Sequence, residues 1–204
     1  MSESYLIPAT DLLFEEEIKH SRFISFLFHC QSVEELKCVL TNLKVEYPGA
    51  NHYCYAFVGG SPTDSINIGS SDDGEPSGSA GRPMLAALQG ANIGEIGVIV
   101  VRYFGGTKLG VGGLVRAYSS GIKQAIPQLE TQLKQIRYPG KLVCEYHQLK
   151  DVEHLLAQLD VLIEDKQFTD HIEIHFAIPK AFKKQLNLDL ATMSKGLLKA
   201  EFEE

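Results

Sequence analysis

Val100-Val101-Arg102-Tyr103-Phe104-Gly105-Gly106-Thr107-Lys108-Leu109-Gly110-Val111-Gly112-Gly113-Leu114-Val115-Arg116-Ala117-Tyr118 is the stretch from which the rest of the chain is parsed. Ile96, Val98, Ile99, Val100 and Val101 lead into it as an apolar, β-branched run, which predicts a central strand over Glu95–Phe104. Five glycines follow in the nine residues 105–113. A helix is then expected from about Gly113 to Lys134, with Pro127 kinking or splitting it. A glycine loop lets backbone approach a ligand, and a helix start supplies unpaired N–H groups with about half a positive charge. Arg102, Lys108 and Arg116 add formal charge around the loop. The candidate phosphate- or nucleic-acid-binding set is therefore Arg102, Gly105, Gly106, Lys108, Gly110, Gly112, Gly113 and Arg116. Neither common nucleotide motif fits. A P-loop needs Lys and Ser/Thr where Val111 and Gly112 stand, and a dinucleotide fingerprint needs glycine at Val115. The competing role is a loop required only for close strand–helix packing.

Outward from this segment, glycine remains concentrated: 13 of 18 fall between Gly69 and Gly121. Upstream, Leu12–Glu16 and Arg22–His29 read as strands. Ser32 opens a helix with Glu35 in capping-box position, and Pro48-Gly49 end it. His52–Val58 and Ser65–Ile68 are further strand candidates, and Pro83–Gln89 a short helix with proline at its start. Downstream, Tyr138-Pro139-Gly140 marks a domain boundary. Strand Lys141–His147, helix Leu149–Leu159, hairpin Val161–Phe168 with His171–Ile178, helix Pro179–Met193 and strand Gly196–Phe202 then follow. That βαββαβ order predicts a ferredoxin-like domain over 138–204 after an N-terminal domain over 1–137, an α+β protein.

The 204 residues carry 44% apolar and 22% charged side chains, ordinary globular composition. No apolar run approaches the roughly 20 residues of a membrane span, so no membrane association is expected. Met1–Glu17 is acidic and shows no signal-peptide pattern. Cys30, Cys38, Cys54 and Cys144 are scattered without a C-x-x-C pair, which suits reduced thiols in a cytoplasmic protein. Net charge is −7, yet residues 82–138 carry seven basic side chains against two acidic ones. An acidic molecule with one basic segment offers a local anion site.

A second segment, Ser70-Ser71-Asp72-Asp73-Gly74-Glu75-Pro76-Ser77-Gly78-Ser79-Ala80-Gly81-Arg82-Pro83, gathers three carboxylates in four residues. Asp72, Asp73 and Glu75 could hold a hydrated Mg²⁺, or Asp72 and Asp73 could cap backbone N–H groups in an Asx-turn. His52 and Cys54 share a strand face, but two ligands do not make a zinc site and a packed core pair is the better reading. Lys19-His20-Ser21-Arg22 either extends the anion surface or punctuates a hairpin.

These motifs resemble the YigZ/IMPACT family. The resemblance rests on Ser71–Pro83 and Val101–Tyr118, with His52–Ala56 and Lys19–Ile24 in agreement. Ser79 and Arg82 replace the commoner Thr and Lys of the family. The resemblance implies a two-layer α/β N-terminal domain of the ribosomal-protein type, as in GHMP kinases and domain IV of elongation factor G. It also implies a ferredoxin-like domain similar to that factor's domain V. Eukaryotic members regulate translation through a protein partner and an added RWD domain. This chain has no room for that domain, so such control is not carried over.

The resulting expectation is a non-enzymatic RNA- or ribosome-associated protein in translation control, with no cofactor. The alternative is a Mg²⁺-dependent phosphotransfer or nucleotide-hydrolysing enzyme using the 72–75 loop and the 105–113 loop. A scaffold whose acidic first third meets a basic protein partner is a third reading. Oligomeric state, and whether the two loops share a cleft, are left open by sequence.

Overall fold

A computed structural model describes residues 4–202. Two compact units divide the chain, one of residues 5–134 and one of 135–202 with Ser4. The first contains β1 (Ser4–Pro8) from Tyr5 on, β2 (Leu12–Ile18), β3 (Ser21–His29), α1 (Val33–Glu46), β4 (His52–Val58), β5 (Ile68–Ser71), α2 (Gly81–Gly90), β6 (Ile96–Tyr103), α3 (Val111–Ala125) and β7 (Thr131–Gln135) as far as Lys134. β1 and β7 form a two-stranded ribbon. The main sheet runs β2-β3-β6-β4-β5 with antiparallel neighbours throughout.

β6 lies in the middle of that sheet, and both of its faces are covered. Val98 and Val100 pack with Met84 and Leu88 of α2 and with Leu114 and Tyr118 of α3. Ile99 and Val101 point the other way, onto Leu36 and Leu43 of α1. A strand buried on both sides reads as a continuous apolar run, which is why the pattern did not alternate. The unit therefore has three layers, helix–sheet–helices, which corrects the two-layer expectation.

Local chemistry sets the element boundaries. Ser32 Oγ accepts the Glu35 N–H, while the Glu35 carboxylate reaches back to the N–H of Gln31. Asp64 Oδ1 accepts the N–H groups of Ile66 and Asn67, so pairing begins at Ile68, later than the expected Ser65. The helix expected to reach Lys134 ends at Ala125. A turn over Ile126–Gln128 contains Pro127, and the chain resumes as β7.

The second unit runs β8 (Arg137–Cys144), α4 (Leu149–Gln158), β9 (Leu162–Phe168), β10 (Ile172–Pro179), α5 (Lys183–Ser194) and β11 (Glu201–Phe202). Its antiparallel sheet has the order β11-β8-β10-β9. Leu142, Ile174 and Phe176 pack beneath Val152, Leu156, Leu186 and Leu190. Pro139 and Gly140 sit inside β8. β11 begins only at Glu201, because the side-chain amide of Asn187 takes both the N–H and the C=O of Ala200.

Among the described residues no helix is long and apolar enough to cross a membrane. All four cysteines are free, with Cys30, Cys54 and Cys144 buried and Cys38 exposed.

Candidate functional site

The C-terminal end of β6 carries Arg102 in register with Phe23 of β3 on one side and His52 of β4 on the other. All three side chains share the α3-facing side of the sheet. The guanidinium is only 6% exposed. It lies between the rings of Phe23 and Phe104, at 5.3 and 5.6 Å from their centroids. Its Nη1 donates to Glu75 Oε1 at 2.5 Å and its Nη2 to Ser21 Oγ at 3.4 Å, while Nε has no partner among the described residues.

Glu75 is the hub of this cluster. The same Oε1 accepts the hydroxyl of Tyr118 from α3 at 2.7 Å, and His52 Nε2 lies 3.8 Å away. His52 Nδ1 donates to the Asp73 carbonyl at 2.8 Å, which turns Nε2 toward the carboxylate. Burial raises the Tyr118 pKa, reinforced by neighbouring Cys54 and by the bond to Glu75, so the phenol stays a donor.

The three sequence-predicted carboxylates face in different directions. Asp72 folds the loop: its Oδ1 accepts from Ala80 and Gly81, and its Oδ2 from Gly78. Burial pushes the Asp72 pKa up, but these three backbone donors more than offset it, and the net shift is downward. Asp73 Oδ2 accepts the Tyr53 N–H at 2.7 Å. Glu75 alone reaches the cleft described next. Among the described residues no group of three His, Cys, Asp or Glu side chains could hold a metal ion.

A cleft of about 440 Å³ opens beside Glu75. Glu75 and Pro76 line it together with Lys108, Leu109, Gly110 and Val111, and His52, Arg102 and Phe104 complete the lining. The acidic and glycine-rich segments thus share a cleft, through one carboxylate and the 108–111 turn. Gly110 caps α3 at φ +74°, a conformation that favours glycine, and provides no side-chain acceptor. The first N–H groups of α3 are left without a side-chain cap. Gly105 has another origin: a Cβ there would lie 2.0 Å from the His20 backbone.

Arg116 lies elsewhere. With Lys19 and Gly113 it lines a separate hollow of about 270 Å³, and Leu109 belongs to the linings of both. The three cations of the candidate set therefore do not converge on one point. Arg102 is matched by Glu75, Lys108 faces the cleft, and Arg116 faces the neighbouring hollow. Gly105, Gly106 and Gly112 are in neither lining.

Sequence reasoning paired His52 with Cys54 in the core. Cys54 is buried, its thiol pushed up to about 12 by burial, whereas His52 faces the cleft. Tyr118 was missed as a site residue, because a tyrosine four residues after Leu114 on an apolar helix face carries no distinguishing signal. Phe104 was likewise missed, since a loop aromatic shows its contact with Arg102 only in three dimensions.

Fold and cleft together describe an α+β protein whose N-terminal unit presents a largely apolar cleft with a few charged side chains at a sheet end. Residues 19–126 match the Impact N-terminal domain, and residues 142–197 match a domain of unknown function, DUF1949. The IMPACT family member YigZ of Escherichia coli is 47% identical over 96% of both chains. An IMPACT family member of Haemophilus influenzae is 45% identical over 95% of this chain and 94% of its own. A solved structure titled only as that of a hypothetical protein shares 46% identity with a TM-score of 0.77, covering 100% of this chain and 99% of its own. This chain belongs to the IMPACT family.

Proposed function

We propose that the protein is a non-enzymatic, RNA- or ribosome-associated cytoplasmic protein that acts in the regulation of translation. The observation that carries this reading is Lys108 beside the uncapped start of α3, both facing one cleft. Family membership supports it, and so does the β-α-β-β-α-β order of the second unit with sheet order β11-β8-β10-β9, which favours the ferredoxin-like assignment. Lys108 and Arg116 each contact a phosphate of the RNA from their separate hollows, while backbone N–H groups fix the register. Ribosome co-sedimentation across a salt series tests this. Lys108→Ala with Arg116→Ala should reduce the salt slope by roughly 1.4, at ~0.7 per phosphate on single strands. Sedimentation unchanged in that variant would overturn the reading.

A Mg²⁺-dependent phosphotransfer activity has one observation in its favour, the meeting of Glu75 with the 108–111 turn in a single cleft. Nucleotide hydrolysis measured with and without Mg²⁺, in wild type and Glu75→Gln, decides it. Metal-dependent turnover lost in the variant is the outcome that reading requires.

A further inference from the structure

We propose that the 440 Å³ cleft is a site for one nucleoside 5′-monophosphate group, either free in solution or as the 5′ end of an RNA. This rests on the reading of the cleft as an anion site, and names what fills it. Lys108 forms no ion pair among the described residues, and the first-turn amides of α3 have no side-chain cap. The second observation is independent of the helix. Arg102 lines the same cleft with a side chain more than nine-tenths buried, and its Nε–H has no acceptor. Buried donors are almost always satisfied, so this N–H calls for an acceptor that the neighbouring side chains do not supply.

The remaining lining explains why the ligand is more than an ion. Pro76, Leu109, Val111 and Leu114 make an apolar wall, and Phe104 adds a flat ring that is 44% exposed. That ring lies against the guanidinium. A base seated beside Phe104 leaves the phosphate at Lys108 and the α3 amides. Glu75 does not repel the phosphate strongly, because its charge is matched by Arg102.

A chain end suits the cleft better than a passing strand. Single strands are held by grooves whose cations continue along the backbone. Here Lys108 and Arg116 line separate hollows that share only Leu109. A phosphomonoester also carries about −1.5 to −2 at pH 7, more than a phosphodiester, and so gains more from one lysine and a helix start.

Calorimetric titration of the full chain with adenosine 5′-monophosphate, adenosine and inorganic phosphate tests the site. The nucleotide should bind at least about tenfold tighter than either fragment, since both ends of the cleft are used. Lys108→Ala should weaken it about tenfold with unchanged melting temperature. Val111→Glu separates ligand from fold. Val111 is 57% exposed on the cleft, and a carboxylate in the first helical turn suits the dipole, so melting temperature should hold or rise while nucleotide binding is lost. Nucleotide binding no tighter than phosphate, or retained in Val111→Glu, overturns the proposal. Competition by a 5′-phosphorylated oligoribonucleotide but not its 5′-hydroxyl form assigns the RNA end as the source; no competition by either assigns the free nucleotide. Lys108-dependent ribosome sedimentation without nucleotide binding would remove this proposal alone and leave the translation reading standing.

Discussion

Arg102 and Glu75 stabilise each other only as a pair, because each charge was taken out of water to be there. Arg102→Met strands the carboxylate against Tyr118 and should cost about 3–5 kcal/mol in urea denaturation. Combining it with Glu75→Leu should recover most of that loss, so the double-mutant cycle should show strong coupling. Glu95 makes a comparable hub away from the cleft. At φ +48° it accepts from Tyr5, Gln31, His29 and Lys134. Burial opposes its ionisation, but these donors, Lys134 foremost, win and hold its pKa at about 2 against an ordinary 4.5. A depressed carboxylate stabilises the fold above its unfolded pKa, and the contribution is lost as pH falls from about 4.5 through 2. Glu95→Gln should therefore melt lower at pH 7 and show a flatter stability profile across that window, as thermal unfolding at stepped pH would reveal. Neither hub was legible from sequence. A lone glutamate before an apolar strand looks like any solvated charge until the fold brings donors from positions 5, 29, 31 and 134 around it.

Within the 71–81 loop, one side chain, Asp72, gathers three backbone N–H groups. Removing the Asp72 carboxylate with Asp72→Ala leaves three N–H groups without their acceptor and should cost about 3 kcal/mol, given roughly 1.5–3 for a bond to a charged group and partial rescue by water. Amide exchange at Gly78, Ala80 and Gly81 should accelerate beyond the rest of the unit. Composition exposed this loop as special but not why: three carboxylates in four residues suit a metal or a backbone knot equally until the hydrogen bonds are seen. β4 was legible to the residue, because its apolar alternation is bounded by clear turn residues. The tail of α3 was not. Leu129 and Leu133 sit four apart, a helical spacing, but Pro127 had already ended the helix and the spacing belongs to a turn and a strand.

At the scale of the molecule, each unit has a core of its own. Leu156→Ala empties part of the second core and should destabilise that unit by about 2–5 kcal/mol. Exchange protection at Val98 and Ile99 in the first unit should stay unchanged, which hydrogen-exchange mass spectrometry can resolve. The sharing of one cleft by residues 75 and 108–111 was beyond sequence, since it depends on β4 and β6 lying side by side beneath α3. The outer strand β2 has a further consequence. It ends the main sheet with Glu15, Glu16 and Glu17 in succession, and Glu16 turns inward toward Gln124. A second copy attempting to extend the sheet there would set like charges within a few ångströms of one another and would have to bury a carboxylate in the seam. Glu16 and Glu17, with Glu15 already taken by Arg22, thus disfavour strand pairing at a border that takes no part in the cleft.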